Sequence, residues 1–308
     1  DPGDDATKLT SAGENDVFVC KISTEGNLIW ARQLGGLKND VGIAIVTDNN
    51  QNVYTSGNFV GTGDFNPSMT KYSLNSFGET DIFVSKLNAT GDFVWAKQLG
   101  GTSVDSVSTL IIDPLNSLYI AGCFKGTADF DPGTGDSFYT SNGGYDAFLC
   151  KIKESGAYDW VTQLGGIEND AANTVTLDNN FKIYLSGGFE KAVDFNPNLN
   201  GGDLTATGTK NSFFLKLSQE GLSKVDNAFA SAQLLYPNPT NGTINIRLDK
   251  TYQSVNISIM NSLGQIIDKS SHNFTSEIIT NIRGSVGLYF IKVEADDNKT
   301  ATFKITKL

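Results

Sequence analysis

The side chains best suited to chemistry in this sequence are the carboxylates of one polar loop. The loop reads Asp-Phe-Asp-Pro-Gly-Thr-Gly-Asp and brings Asp129, Asp131 and Asp136 within eight residues. Calcium binds clustered oxygen ligands of this kind, so the loop predicts a calcium site. An Asx turn explains the same residues without a metal, because an Asp side chain hydrogen-bonds backbone amides close to it in the chain. We prefer the turn, and calcium is then the one cofactor that the sequence leaves open.

Residues for acid–base or nucleophilic catalysis are scarce. The chain has a single histidine, His272, and it lies outside the repeats that carry the acidic loop. Histidine-dependent nucleophilic chemistry and His-ligated zinc are therefore excluded from the repeats. The pair Asp129 and Asp131 recurs as Asp with Asn in two other repeats, whereas a catalytic centre should break such symmetry. The sequence therefore predicts a protein that is not an enzyme and has no catalytic residues.

The acidic loop belongs to a repeat of 65 residues that runs without insertion or deletion through the first 221 positions. Asp16, Asp81 and Asp146 mark the period, and a Gln-Leu-Gly-Gly block keeps the same step. The tryptophans keep it too, at Trp30, Trp95 and Trp160. A fixed period of this length indicates one supersecondary module per repeat and a stack or ring of modules.

One repeat, from Leu37 to Gly101, contains four extended segments separated by Gly, Asn and Asp turns. The predicted strands cover Val41 to Thr47, Val53 to Phe59, Asp81 to Leu87 and Phe93 to Leu99. Four short antiparallel strands form one blade, and blades packed face to face around an axis form a β-propeller. The repeated aromatic residues are expected to fill the spaces between blades. An open array of blades or a β-solenoid is the architectural alternative.

About 3.4 repeats are visible, whereas closed propellers contain about four to eight blades. The first residues also fall in register with the middle of a repeat, since Asp1-Pro2 matches Asn66-Pro67. We therefore interpret residues 1–222 as the C-terminal part of a longer propeller.

The period is lost after residue 222, and the charge changes with it. The net charge of −11 divides into −13 up to Leu235 and +2 beyond it. Residues 223–233 are interpreted as a linker. Residues 234–308 form a second domain, whose alternating segments predict a small β-sandwich of about seven strands, so the whole chain is expected to be all-β.

The acidic repeats carry no basic stripe for a phosphate backbone, which argues against nucleic-acid binding.

The repeat from Leu37 to Gly101 carries Ser-Gly-Asn-Phe, Gly-Thr-Gly-Asp-Phe, Asp-Ile-Phe-Val-x-Lys-Leu and Val-Trp-Ala-Lys-Gln-Leu-Gly-Gly, and many of these positions agree in the other repeats. This combination resembles the bacterial seven-bladed β-propeller repeat family over about residues 1–221. The resemblance implies an exported bacterial protein. The family as such defines no reaction.

The second domain carries Tyr-Pro-Asn-Pro-x-x-Gly, then Ile-Met-Asn-Ser-Leu-Gly-Gln, then Gly-Leu-Tyr-Phe-Ile-Lys-Val, then a basic end with Lys304 and Lys307. This order resembles the type A C-terminal sorting domain of the type IX secretion system of Bacteroidota, over residues 234–308. The positions that the resemblance implies are recognised, or set the shape of the domain, are Pro237, Asn238, Pro239, Gly242, Gly264, Gly287, Tyr289 and Lys304. Each taken alone is also explained as a residue that only shapes the sandwich.

The same resemblance implies partners and a destination. The folded domain would be recognised at the outer membrane by the translocon and a β-barrel shuttle protein. A sortase would then cut in the linker, within Ala228 to Leu234. The protein would cross the outer membrane and end at the cell surface or outside the cell.

Two functions from different classes are compatible with these observations. The first is an exported, non-enzymatic propeller that serves adhesion or binds a surface glycan or a protein. The second is an exported enzyme, acting on polysaccharide or protein, whose catalytic residues lie in upstream regions. Symmetry separates them, because an enzyme should show one blade with unmatched charged residues in its loops. The visible blades show none, so we favour the first.

Overall fold

The computed structural model describes residues 7–178, 181–195, 203–217, 235–236, 240–261, 265–296 and 300–308. Every regular element among these residues is a β-strand, so the all-β prediction is confirmed. Within the same residues, no helix has the length and apolar character needed to cross a membrane. The chain divides into two compact units, Asp1–Ser223 and Lys224–Leu308.

The first unit consists of short strands that follow one another as antiparallel neighbours. Its strands are β1 (Val17–Ile22), β2 (Leu28–Gly36), β3 (Val41–Thr47), β4 (Val53–Phe59), β5 (Thr62–Asp64), β6 (Ser73–Asn75), β7 (Asp81–Leu87), β8 (Phe93–Gly101), β9 (Asp105–Ile112), β10 (Leu118–Asp129), β11 (Phe138–Ile152), β12 (Tyr158–Leu164), β13 (Ala171–Leu177), β14 (Ile183–Phe189), β15 (Ala192–Asp194), β16 (Asp203–Thr205) and β17 (Asn211–Leu217).

Two repeats form complete four-stranded meanders, as expected for propeller blades. In one, β3 pairs with β4, β4 with β7, and β7 with β8. In the next, β9, β10, β11 and β12 pair in the same order. The described parts of the flanking repeats are β1 with β2, and β13 with β14 and β17. Three of the four strands predicted for the first complete repeat have the observed bounds, and β8 extends two residues further, to Gly101.

A short hairpin, β5 with β6, lies where the sequence predicts only a polar loop. It joins repeats, because β5 pairs with the end of β2 in the preceding repeat. In the following repeat the same segment is the end of β10, and it pairs with β8. Glycine is required at both contacts, since a Cβ on Gly36 or Gly101 would lie 2.0 or 1.9 Å from a carbonyl oxygen. In these two repeats the segment therefore pairs with the last strand of the repeat before it.

The repeated tryptophans lie between successive repeats, as predicted. Trp30 Nε1 donates a hydrogen bond to the carbonyl of Ala89 at 3.2 Å. Trp95 Nε1 donates to the carbonyl of Glu154 at 3.1 Å. Each bond joins the last strand of one repeat to a turn of the next, 59 residues further along the chain. Packing and hydrogen bonding thus act together at each junction.

The second unit has its own core and its own sheet. Its strands are β18 (Leu235–Tyr236), β19 (Thr243–Asn261), β20 (Ile266–Asn281), β21 (Gly287–Ala295) and β22 (Thr300–Lys307). β19 pairs with β18, β20 and β21, and β21 pairs with β22. Apolar side chains from both halves of β19 enter one hydrophobic cluster, so this single sheet folds around one core.

Five strands are present among the described residues of this unit, where the sequence predicts about seven. The apolar runs Ile244 to Leu248 and Val255 to Ile259 were expected to be separate strands, and both lie on β19. No Gly or Pro separates them, and the backbone passes from one to the other through a register shift between Arg247 and Tyr252. An irregularity of this type bends a strand without ending it.

Candidate functional sites

In the second unit, the segment that leads into β19 is hydrogen-bonded to the last strand. The amide of Thr240 donates to the carbonyl of Thr306 at 2.9 Å, and the amide of Leu308 donates to the carbonyl of Thr240 at 2.8 Å. The Thr240 hydroxyl donates to the carbonyl of Thr243 at 2.6 Å and accepts from the amide of Gly242 at 3.0 Å. The first and last segments of the domain are therefore held together.

The turn before β21 is hydrogen-bonded by the side chains of Lys307 and Tyr289. Lys307 Nζ donates to the carbonyls of Ile282 and Gly284 at 3.0 and 2.6 Å. The Tyr289 hydroxyl donates to the carbonyl of Ser285 at 2.7 Å. A Cβ on Gly284 would lie 2.4 Å from the Tyr289 hydroxyl, and φ there is +148°, so only glycine fits. We call this group of residues the terminal junction: Thr240, Gly242, Ile282, Gly284, Ser285, Tyr289 and Lys307.

The predicted sorting residues fall into three groups. Gly242 and Tyr289 belong to the terminal junction, and Gly242 has a φ of +125° that favours glycine. Gly287 begins β21 with a φ of +156°, and Lys304 lies in β22. The remaining predicted residues, Pro237, Asn238, Pro239 and Gly264, lie outside the described residues, as does all of the predicted linker.

Sequence reasoning missed Thr240 and gave Lys307 no contact of its own. Thr240 precedes an Asn-Gly pair, which is a turn signal, but that signal does not say which strand the turn faces. The sequence does not distinguish Lys307 from a lysine on a solvent-exposed strand. Its bonds to the turn carbonyls are seen only in the structure. Both residues act through contacts between distant parts of the sequence.

Two of the three predicted calcium ligands are hydrogen-bonded to backbone amides. Asp129 Oδ1 accepts from the amides of Asp131 and Ser137, both at 2.9 Å. Asp131 Oδ1 accepts from the amide of Gly133 at 2.8 Å, and Asp136 is exposed. The matching Asp of the preceding repeat makes the same pair of bonds as Asp129. No group of three His, Cys, Asp or Glu side chains suited to a metal occurs in the described part of the chain. The preferred Asx turns are present, and the calcium site stays a prediction.

The junction around Gly100 also buries two carboxyl groups. Asp81 Oδ2 accepts from Gln98 Nε2 at 2.6 Å, and Asp105 Oδ2 accepts from the amide of Gly101 at 2.6 Å. A Cβ on Gly100 would lie 2.8 Å from Asp81 Cγ and 2.9 Å from Asp105 Oδ2, so both groups face this glycine. Burial raises the pKa of Asp81 to about 6 and the pKa of Asp105 to about 7.

The same pair recurs at the other junctions, which indicates a structural role. Asp40 and Asp170 accept from the amides of Gly36 and Gly166, at 2.6 and 2.7 Å, as Asp105 does from its own glycine. Burial raises the pKa of Asp40 to about 6 and also raises the pKa of Asp170. Equivalent acidic residues therefore join successive repeats at several junctions. They do not distinguish one blade as a catalytic site.

The first unit also presents an apolar groove between β1 and β3, with a volume of about 480 Å³. Its walls include Phe18 from β1 and Val41, Ile43 and Ile45 from β3. All four side chains are exposed. We call this the β1–β3 groove.

Comparison with known proteins agrees with this architecture. The family model for the secretion system C-terminal sorting domain matches residues 234–307, and the model for the β-propeller repeat matches residues 29–58. The chain is 28% identical over 170 residues to the regulatory protein FlaEY of Caulobacter vibrioides, covering 54% of this chain and 17% of that protein. It is 25% identical over 173 residues to an uncharacterised WD repeat-containing protein of Acanthamoeba polyphaga mimivirus, covering 52% of this chain and 12% of that protein. The chain thus spans less than a fifth of the length of these curated relatives.

Fold and comparisons together define a protein of β-propeller repeats joined to a secretion-system sorting domain. The β-propeller repeat model matches within the repeats, at residues 29–58, and the model for the secretion-system C-terminal sorting domain matches residues 234–307. Both resemblances seen in the sequence are confirmed. The sorting domain marks the chain as cargo of type IX secretion and implies interaction with that machinery. It indicates export, as a secreted or cell-surface protein.

Proposed function

We propose that this chain is an exported, non-enzymatic propeller protein that binds a glycan or a protein at the cell surface. Its C-terminal domain is the signal that the outer-membrane translocon and its β-barrel shuttle protein read. A sortase then cuts within residues 228–234. The observation that carries the proposal is the sorting-domain match, which falls on a unit with its own sheet and core.

The terminal junction supports recognition of a folded signal. Lys307 and Leu308 are both hydrogen-bonded, the first to the turn before β21 and the second to Thr240. The last residues are therefore ordered by contacts to the rest of the domain. A receptor that reads an ordered end loses less conformational entropy on binding than one that must order a loose tail.

The repeats support a binding role over catalysis. The carboxyl groups of Asp105 and Asp129 are both engaged by backbone amides, and equivalent groups in other repeats are engaged in the same way. A surface made of similar blades offers several similar contact sites to a repetitive ligand such as a glycan. Simultaneous engagement of linked sites raises the overall affinity without any new contact.

The export signal is tested by fusing residues 234–308 to a fluorescent reporter in a bacterium that has type IX secretion. We expect the reporter at the cell surface or in the medium, and in the periplasm of a strain that lacks the translocon. Retention in the periplasm of the secreting strain would contradict the sorting role.

Two matched lysine variants of the full chain test the terminal junction. Lys307→Ala removes both bonds to the turn before β21, whereas Lys269→Ala changes an exposed lysine of β20. We expect Lys307→Ala to reduce the exported fraction and Lys269→Ala to leave it unchanged. Equal export of both variants would show that the receptor does not depend on the junction.

The binding role is tested with the purified full chain on arrays of bacterial and host surface glycans and by pull-down of surface proteins. We expect saturable binding that survives in a chain lacking residues 234–308, because the proposal places the ligand on the repeats. Turnover of a polysaccharide or peptide substrate by the same preparation would favour the enzyme alternative instead.

A further inference from the structure

Two adjoining cavities of the first unit form one cleft where β2 meets the following repeat. Their volumes are about 470 and 440 Å³, and Gln33, Pro67 and Ser68 line both. Small-molecule sites are usually cavities of about 300–1,000 Å³. The walls come from the end of β2, the segment from β5 to β6 and the turn between β7 and β8. We call this the Arg32 cleft, and we define it by Arg32, Gln33, Asp64, Lys71, Asp92 and Phe93.

Three charged residues of the cleft are not shared by the other repeats. Arg32 belongs to β2, Lys71 to the loop between β5 and β6, and Asp92 to the turn between β7 and β8. The counterparts 65 residues further on are Lys97, Asp136 and Ala157, and the next counterpart of Arg32 is Thr162. The repeat forms the same strands with these other residues, so the fold does not require the three charges. Comparison of the repeats predicted no unmatched charged residues in the loops, and Lys71 and Asp92 correct that interpretation.

The guanidinium of Arg32 is held in place by the backbone. Nε donates to the carbonyl of Gly91 at 2.8 Å, Nη2 to the carbonyl of Thr90 at 3.0 Å and Nη1 to the carbonyl of Ala31 at 2.9 Å. The group also lies over the Trp30 ring, 5.5 Å from its centroid. Three of its five N–H donors are used in this way, so two remain for a ligand. A side chain fixed before binding loses less conformational entropy when the ligand arrives.

Asp92 is oriented by its own turn. Its Oδ2 accepts from Thr90 Oγ1 at 2.6 Å and from Asn88 Nδ2 at 3.1 Å. The bond from Thr90 is the largest cause that lowers the pKa of Asp92, so the carboxyl is charged. Its Oδ1 makes no hydrogen bond to the described residues. One charged acceptor is therefore fixed and open beside the Arg32 guanidinium.

An aromatic ring supplies the apolar wall of the cleft. Phe93 is half-buried, and its ring lies 4.9 Å from the ring of Tyr72, at an angle of 38°. In the following repeat the same positions are Tyr158 and Ser137, which meet through a hydrogen bond of 2.9 Å instead. The stack holds the Phe93 ring in one orientation, and a ring of this kind covers the C–H face of a sugar well.

The charges of the cleft balance. Arg32 and Lys71 are positive, and Asp64 and Asp92 are negative. Within the part of the chain that the structure describes, Lys71 forms no hydrogen bond or ion pair. The cleft thus offers donors and acceptors together and has no net charge to attract a strongly ionic ligand. A hydroxyl group both donates and accepts, so a molecule rich in hydroxyls matches this set.

We propose that the Arg32 cleft binds a neutral saccharide. The C–H face of one sugar lies on the Phe93 ring, and its hydroxyls bind Arg32, Lys71 and Asp92. This inference rests on the proposed binding function, and it places the ligand at one junction instead of at equivalent sites on several blades.

The carboxyl groups of the cleft favour binding over hydrolysis. Glycosidases use two carboxyls, one of which has a raised pKa and donates a proton. The pKa of Asp92 is lowered instead. Asp64 Oδ1 accepts from the amides of Asn66 and Tyr72, at 3.1 and 3.0 Å, and so forms its own turn. Neither carboxyl is arranged as a proton donor.

The test uses the purified full chain and two variants, Arg32→Thr and Asp92→Ala. Each installs a residue that another repeat carries at the same position, so the fold is kept. The matched control is Lys97→Thr, which makes the equivalent change at the next junction and removes the same charge. An unchanged Tm identifies variants that are folded.

Binding is measured on the glycan arrays and then by calorimetry with maltotriose, cellotriose and chitotriose, with trigalacturonate as the acidic counterpart. We expect saturable binding of a neutral glycan and weaker binding of the acidic one. Arg32→Thr and Asp92→Ala should each raise the Kd at least tenfold, because each removes a charged hydrogen-bonding partner. Lys97→Thr should leave the Kd unchanged.

Four outcomes would overturn the proposal. Equal Kd values for all three variants would move the sugar site elsewhere on the repeats, and stronger binding of trigalacturonate would change the ligand class. Binding of surface proteins but of no glycan would remove the saccharide and leave the proposed binding function intact, whereas binding of neither would contradict that function itself. Hydrolysis of a bound trisaccharide would assign catalysis to the cleft.

Discussion

The acidic loop that begins at Asp129 is expected to stabilise the fold chiefly through its phenylalanine, Phe130. Phe130 is 1% exposed, and its ring lies 4.8 Å from that of Phe148 and 5.2 Å from that of Phe124. Phe138, at the other end of the same loop, is 61% exposed. Phe130→Ala and Phe138→Ala therefore remove the same atoms from a buried and an exposed position.

The magnitude follows from burial and ring contacts. Replacing a buried Phe by Ala costs about 3–5 kcal/mol of unfolding free energy. Two close aromatic neighbours place Phe130→Ala near the middle of that range or above it, at about 4 kcal/mol, because each ring pair contributes about 0.5–1.5 kcal/mol. Phe138→Ala should stay within about 0.5 kcal/mol. In a unit of this size about 4 kcal/mol corresponds to a fall in Tm of about 8–16 °C.

The assay is urea unfolding followed by tryptophan fluorescence. The three tryptophans, Trp30, Trp95 and Trp160, all lie in the repeats, so the signal reports on that unit alone. We expect Phe130→Ala to lower the midpoint strongly at an unchanged slope, and Phe138→Ala to leave it in place. A loss below about 1 kcal/mol for Phe130→Ala, or equal losses for the two variants, would refute the reasoning from the ring triplet.

Three further outcomes can be checked on the same protein. Burial raises the pKa of Asp105 to about 7, so the folded state holds a proton that the unfolded state releases above about pH 4. The contribution of this group to the free energy of unfolding is therefore fully present below pH 4 and is lost as the pH rises through 7. Asp105→Asn should flatten the fall in Tm between pH 5 and 8, and an unchanged slope would assign the pH dependence to other groups. Calorimetric titration with calcium should give neither heat nor a change in Tm if Asp129 serves only its Asx turn, whereas saturable heat that is lost in Asp129→Asn would establish the metal site. Tyr289→Phe removes the bond to the turn before β21 and should cost the second unit about 1 kcal/mol in chemical unfolding, and a neutral result would show that packing alone holds the ring.

The strands of the repeats were the part of the structure that the sequence predicted best. Strand bounds such as Val41–Thr47 and Val53–Phe59 were predicted correctly because copies of the repeat carry the same turn residues at the same step. The hairpin of β5 with β6 was missed, since three-residue strands such as Thr62–Asp64 show too little alternation to be recognised. Its pairing with the preceding repeat is a contact between distant segments, which a local pattern does not encode.

The second unit was predicted less well for a related reason. Alternation identified the apolar positions of β19, but it did not show that one strand continues through the irregular stretch between Arg247 and Tyr252. The family motif pointed to Gly242 and Tyr289, which the fold brings into one junction. Their partner Lys307 gained its role only from the turn carbonyls that it reaches in three dimensions.

The pairing of β5 with β2, and of β10 with β8, has a consequence for how the number of repeats changes in evolution. The first two boundaries use the same glycine, the same buried acid and the same tryptophan: Gly36, Asp40 and Trp30 at the first, and Gly101, Asp105 and Trp95 at the second. A crossover that duplicates or deletes one block of 65 residues therefore joins surfaces that already fit. Natural variants of this protein should differ by whole blocks, whereas changes of a few residues should be confined to the loops between strands.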